Sequence, residues 1–463
     1  MRLPEVSLLL IASLGLSGCV DSLRSQQPPT KWTTGFWFWR GSSIDTTRSS
    51  ESLDVIFIHV GTISKDDAPY VVRQATSPRQ LWHAYAELPD QFPEAREYWL
   101  VFRFERQGVP DLPAAAIVAE QVAKLRKTAL KEHLNVVGVQ LDIDSPTGAL
   151  PQYVSFLREV RKGLPQGFEI SITALLDWFR NGTAIAEVIK EVDEFVPQFY
   201  DVADFNNSDG GGAIAAKIDA KRWGPVFNRF GKRFRIGIST FGRARLVPRE
   251  DPSQPNRVRY VFFRDLTPLD IAANSAFHVQ ATRSPANELV LSYRVARKTR
   301  IGYNDLEAGD TIQFILSTPE AIGAAVGSAK RMRGHLAGVV FFRWPSLNES
   351  LPMPPDEALI AAGLTAQDSP KRSSILRMDG GCAAVKCMDL FLENANPFSP
   401  QLSRYRIRGS TELEYFLPEN NMPIRMVGSS ELELSLPPYC GRARMYIGRA
   451  VTANPAEFTV EEQ

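Results

Sequence analysis

Eight apolar segments of strand length punctuate the chain: GFWFWR (35–40), LDVIFIHVG (53–61), EYWLVFRFE (97–105), VVGVQLDID (136–144), FEISITAL (168–175), DEFVPQFYD (193–201), FRIGISTFG (234–242) and GVVFFRWP (338–345). Most are near-continuous apolar runs, which is how strands read when both faces of a parallel sheet are covered. Helical patterns lie between several of them, at Ser77 to Glu87, Leu112 to His133, Pro151 to Gly163, Ala184 to Val192, Gly212 to Arg229 and Pro319 to Gly334. This alternation predicts an α/β fold, a (β/α)8 TIM-type barrel over residues 35–365, with the short, weakly helical first crossover as its least regular unit. A doubly wound open sheet is the competing architecture. The absence of a GxGxxG after any of these strands counts against it.

Two stretches do not follow the barrel pattern. Residues 243–317, after the seventh segment, hold VRYVFF (258–263), ELVLSYRV (288–295) and DTIQFIL (310–316) but no long helix, which predicts a β-rich insertion at the barrel mouth. Residues 366–374, AQDSPKRSS, read as a polar linker. From 375 to 463, short segments alternate apolar with polar residues between turn residues, which predicts a C-terminal all-β, sandwich-like domain. Cys382, Cys387 and Cys440 all fall there. An oxidising compartment would allow two of the three to pair, and spacing does not choose which.

The N-terminus points to such a compartment. Arg2 precedes an apolar run from Val6 to Leu16, too short to span a membrane as a stable helix, and residues 1–18 read as a signal peptide. The ending Leu16-Ser17-Gly18-Cys19 resembles the bacterial lipobox. That resemblance implies that Cys19 is the lipidated first mature residue, that residues 19–34 are a tether, and that the membrane is a partner through this anchor. Val20 at the next position is compatible with outer-membrane delivery, and an ordinary signal peptide with an incidental Cys is the alternative. With 53 basic and 52 acidic residues the formal charge is +1, so no global field favours nucleic acid as a partner.

The chemistry concentrates at VVGVQLDIDSP (136–146), where an apolar strand ends in Asp142 and Asp144. Spacing of i and i+2 puts both on one face of a strand, and the carboxyl end of a barrel strand is where active sites sit. Two carboxylates held together repel, which raises the pKa of at least one and suits acid/base catalysis. The bland alternative is that they cap the following segment or pair with a mouth arginine such as Arg103. Trp37, Trp39, Trp178 and Trp344 lie near strand ends and could stack on sugar rings or fill the core. Arg40, Arg103 and Arg343 could bind an acidic sugar or phosphate, or neutralise the aspartates. Glu105 and Asp177 are alternative second carboxylates. The five histidines, at 59, 83, 133, 278 and 335, show no metal-ligand spacing, and neither GxSxG nor a P-loop occurs, so no metal or cofactor is expected.

These residues resemble the family 18, chitinase-like glycoside hydrolases, whose fourth strand ends in DGxDxDxE. Gly138 matches the motif's Gly and Asp142 its third Asp, whereas Val137 and Gln140 replace the first and second Asp, and Asp144 stands where the catalytic Glu would be. Gln198-Phe199-Tyr200-Asp201 resembles that family's Met-x-Tyr-Asp, and Trp344 falls in the place of its sugar-stacking Trp. The whole chain is similar to a bacterial lipoprotein family known as domain of unknown function 3142. The resemblance implies Asp144 as general acid with Asp142 beside it, substrate contacts from Gln198, Tyr200 and Asp201, and a polysaccharide or oligosaccharide as ligand. A non-catalytic carbohydrate-binding or envelope-assembly lipoprotein is the second possibility.

Overall fold

The computed structural model describes residues 32–39, 42, 53–65, 82–106, 108–200, 215–249, 261–263, 266–272, 274–346, 351–365, 372–382, 386–396, 399, 401–420, 422–438, 440 and 444–463. The expected signal peptide, Cys19 and most of the expected tether lie outside them, as do Arg40, Asp201 and most of the expected linker.

Eight strands form a parallel sheet: β1 (Thr33–Phe38), β2 (Leu53–Lys65), β3 (Ala95–Phe104), β4 (Val136–Ile143), β5 (Glu169–Ala174), β6 (Glu194–Pro197), β7 (Arg233–Ser239) and β8 (Leu336–Phe342). Each pairs with the next, and β8 pairs with β1 through Thr33↔Gly338 to Phe36↔Phe341, so the sheet closes into a barrel. Helices α1 (Leu112–Lys131), α2 (Leu150–Gly163), α3 (Ile185–Lys190) and α4 (Ala220–Asn228) follow β3, β4, β5 and β6 in turn. A short helix, α5 (Pro268–Ala272), lies in the insertion, α6 (Pro319–Lys330) precedes β8 and α7 (Pro355–Ala361) follows it.

The stretch from Ser77 to Glu87 does not supply the helix its pattern suggested. Its described part is a strand, Trp82–Ala86, antiparallel to the end of β2 from Gly61 to Lys65. Trp82, Ala84 and Ala86 are buried while His83 is exposed, a period of two that suits a strand beside the overlong β2. No helix occurs among the described residues of the first two crossovers.

Alternation sorts the strand residues into two cores. Phe36, Ile56, Leu100, Leu141, Ile172, Phe195, Ile236 and Phe341 point outward and pack under the helices. Trp37, Phe57, Trp99, Val196, Tyr200 and Val340 point inward and fill the barrel. Rings this large fit only where facing strands offer no side chain. A Cβ on Gly138 would lie 2.5 Å from the Trp99 ring and 2.5 Å from the Glu169 carbonyl oxygen, and one on Gly237 would lie 3.0 Å from the Tyr200 ring.

The amino end of the barrel is closed by charge. Glu194, fully buried on β6, accepts from Arg233 Nε at 2.7 Å and from Arg235 Nη1, and Arg233 also reaches Glu169. Arg235 Nε donates to Thr33 Oγ1 at 3.1 Å, and its guanidinium lies 5.9 Å from the Phe57 ring centroid. Burial works against the charge on Arg233, but Glu194 and Glu169 outweigh it and raise its pKa.

The insertion forms a five-stranded antiparallel sheet from Arg243–Val247, Val261–Phe263, Phe277–Arg283, Leu289–Val295 and Thr311–Leu316. Beyond the barrel, two four-stranded antiparallel sheets enclose an apolar core that includes Leu390, Leu392, Tyr405, Ile407, Leu432, Leu434 and Ile447. The strands Ser374–Asp379 and Phe458–Glu462 form part of these sheets. Leu269 from α5 is buried in that same core, so the insertion and the sandwich share packing. Cys382 and Cys387 form a disulfide, and Cys440 is buried with its sulfur 3.5 Å from Asn394 Nδ2.

Gly138→Ala is expected to destabilise the protein by about 1–3 kcal/mol, because the added methyl overpacks against a ring and a backbone carbonyl. The shift of the denaturant midpoint at unchanged m-value measures it.

Candidate active site

The carboxyl ends of the strands surround a cavity of about 240 Å³ lined by Trp37, Trp39, Arg103, Asp142, Asp144, Thr173, Leu175, Gln198, Tyr200 and Phe342. β1, β3, β4, β5, β6 and β8 all contribute to it, each through the inward-facing residues at or just past its end. Local alternation thus delivers this set: Gln140, Asp142 and Asp144 share one face of β4 and its extension, as Val101 and Arg103 do on β3.

Beneath the cavity, Trp37 Nε1 donates to Gln140 Oε1 at 2.6 Å, and Gln140 Nε2 donates to Ser171 Oγ at 3.1 Å. Gln140, fully buried, therefore links three strands as a neutral bridge. One layer higher, Asp142 Oδ1 accepts from Thr173 Oγ1 at 2.8 Å, and Oδ2 lies 4.0 Å from Arg103 Nε. Asp142 is buried, whereas Asp144, one residue past β4, is exposed at the cavity wall.

Aromatic rings form the rest of the wall. Tyr200 stacks on Phe342 with centroids 4.6 Å apart and 12° between planes, and meets Trp37 edge-on at 5.8 Å. Trp39 packs on His59 at 4.3 Å and on Phe342 at 6.1 Å, with the Arg103 guanidinium 5.4 Å from its ring.

Two expected stacking residues stand elsewhere. Trp344 is 4 % exposed and packs against Phe36 and Phe38 in the outer core, because the chain has left β8 and its inward parity by that position. Phe342, in phase with inward Val340, takes the place in the wall that Trp344 was expected to hold. Trp178 is 0 % exposed, packed on Tyr153 behind the barrel wall, and its Nε1 donates to the Ser145 carbonyl at 2.8 Å. Arg343 turns away from the cavity, over the Phe241 ring at 5.4 Å. Asp177 accepts from Thr147 Oγ1 at 2.9 Å, so it braces the segment after Asp144, and Glu105 is exposed outside the cavity lining.

Thr173, Leu175 and Phe342 escaped the sequence reading, although alternation from Ser171 and from Val340 pointed to them. Tyr153 on α2 also escaped it. Burial, and then the charges of Asp142 and Asp144, push its hydroxyl well above the usual tyrosine range, so it stays protonated behind the pair. Among the described residues no group of three His, Cys, Asp or Glu side chains is arranged to hold a metal ion.

Solved structures with similarity to this chain are found over the barrel. The spore cortex-lytic enzyme SleL of Bacillus cereus matches at 14% identity over 72% of this chain and 75% of that chain, with a TM-score of 0.42. A glycoside hydrolase family 18 N-acetylglucosaminidase from Paenibacillus barengoltzii matches at 16% identity over 68% and 95%, with a TM-score of 0.39. A class V chitinase from Nicotiana tobaccum matches at 11% identity over 68% and 94%, also with a TM-score of 0.39. The family model that matches is a domain of unknown function, DUF3142, over residues 94–253, the stretch from β3 through β7. No curated protein matches the chain.

Trp37→Phe keeps a ring in the barrel but leaves Gln140 Oε1 buried without its donor, at an expected cost of about 1–3 kcal/mol. Adding Gln140→Leu removes the stranded acceptor. A double-mutant cycle by chemical denaturation should show the second change costing less in the Trp37→Phe background than in the wild type.

Proposed function

We propose that the barrel mouth binds a saccharide and hydrolyses its glycosidic bond, with Asp144 as proton donor and Asp142 as its ionised partner. The observation that carries this reading is the unequal setting of two carboxylates sent by one strand into one cavity. Asp142 faces a hydroxyl donor and a cation, contacts suited to a carboxylate, while Asp144 stands exposed where a ligand can cover it. Unequal environments are what separate the roles of two neighbouring acids.

In this scheme Asp144 protonates the leaving oxygen while Asp142 stabilises the positive charge that develops on the ring, or activates water or a neighbouring substrate group. Trp39 and Phe342, half-buried in the wall, cover the apolar side of a sugar ring, and Gln198 offers hydrogen bonds. Asp is one methylene shorter than Glu, so the scissile oxygen must come closer to β4 for proton transfer. The cavity is smaller than the ~300–1,000 Å³ common for drug-sized ligands, a volume suited to the end of a glycan. Lipidation at Cys19 would hold the protein at the bacterial cell envelope, on the outer membrane, with an envelope or extracellular polysaccharide as substrate.

The second reading, a non-catalytic binder, is favoured by the facing of Arg103 and Asp142, which ties one carboxylate to a structural neighbour. A glycan panel separates the two. Hydrolysis that falls about 10²–10⁴-fold in Asp144→Asn, the usual weight of a general acid, and persists in the surface variant Arg158→Met supports the hydrolase. A purified protein that binds a glycan and never cleaves it leaves only the second reading. For the anchor, Cys19→Ser is expected to move the protein from the membrane to the soluble fraction, and unchanged membrane recovery would count against lipidation there.

A further inference from the structure

We infer that the saccharide taken into this cavity carries a carboxylate, which Arg103 receives. The inference rests on the saccharide reading above and adds the substrate class.

Arg103 pairs in register with Asp142 across β3 and β4, so both side chains enter the barrel from adjacent strands. Its Nε lies 4.0 Å from Asp142 Oδ2, whereas a charge-assisted hydrogen bond needs about 2.7–2.9 Å. Among the described residues the Arg103 guanidinium makes no hydrogen bond, and its side chain is 39 % exposed at the cavity wall. Trp39 holds the guanidinium against its ring, which restricts the group without using its N–H donors.

The other arginines nearby are used differently. Arg235, at the opposite end of the barrel, is 3 % exposed and its donors are taken by Glu194 and Thr33. Arg343 stands outside the cavity. Arg103 is therefore the one cation among the described residues lining the cavity, and among those residues Asp142, 4.0 Å away, is its one ion-pair partner.

Charge and shape then select the ligand. With Asp144 carrying the catalytic proton, the formal charges of Asp142 and Arg103 cancel. A planar guanidinium offers its Nε edge to one acceptor and its paired terminal N–H groups to another. A carboxylate on a sugar matches that fork with two parallel hydrogen bonds, which a lone hydroxyl cannot do.

The test is calorimetric titration of the full chain with uronic-acid oligosaccharides of several linkages, each beside its carboxyl-reduced neutral counterpart and a sulfated one. At least one uronate should bind about tenfold or more tightly than both counterparts, a margin within reach of one charge-assisted pair. Arg103→Met should erase that preference, and Arg103→Lys, which keeps the charge but loses the fork, should retain only part of it. Neutral or sulfated counterparts that bind as tightly as the uronate overturn the inference, as does an Arg103→Met variant, folded by its melting curve, that keeps the preference. Should no saccharide bind at all, the saccharide reading of the site falls, and the inference with it.

Discussion

A sheet that closes on itself acquires an interior, and every second residue of every strand must either fill that interior or be put to use in it. This constraint organises the whole molecule. Outward residues bind the barrel to its helices. Inward ones form a stack with an ion cluster at the amino end, aromatic rings and the Trp37–Gln140–Ser171 bridge in the middle, and Asp142, Thr173 and Arg103 above. The site is the top layer of a filled column, and its geometry is inherited from what supports it.

Much of this was legible because the signal is local and repeated. A strand covered on both sides shows as an apolar run, and each of the eight barrel strands overlaps one of the segments so marked. The aspartates were legible by the same parity, since Asp142 and Asp144 share a face wherever β4 and its extension run. What escaped are the places where parity ends or competes. Trp344 lies two residues past β8, where the chain has turned, so an aromatic that looked like a wall of the site belongs to the outer core. Trp82–Ala86 resembled a helix until the length of β2, which reaches Lys65, offered it a partner to pair with. No local pattern announces that a Glu on β6 and two Arg on β7 will meet inside a barrel, because only closure brings them together.

The departures from the chitinase-like motif divide into two kinds. Gln140, where that motif has Asp, is bonded on both sides of its amide, so replacing the charge has produced a rigid neutral joint under the site. Asp144, where the motif has Glu, carries its carboxyl one methylene nearer the backbone. The first change joins three strands beneath the cavity, and the second draws a carboxyl back toward β4. Arg103 stands beside Asp142 on the neighbouring strand, so the cavity wall at this level carries both signs of charge.

The buried ion cluster at the amino end has a consequence for traffic. With Glu194, Arg235 and Arg233 locked together beneath Phe57 and Trp99, the described residues leave no passage through the bottom. The barrel is a blind chamber with one door. Whatever enters the cavity at the carboxyl ends leaves by the same side, past Trp39, Phe342 and Arg103.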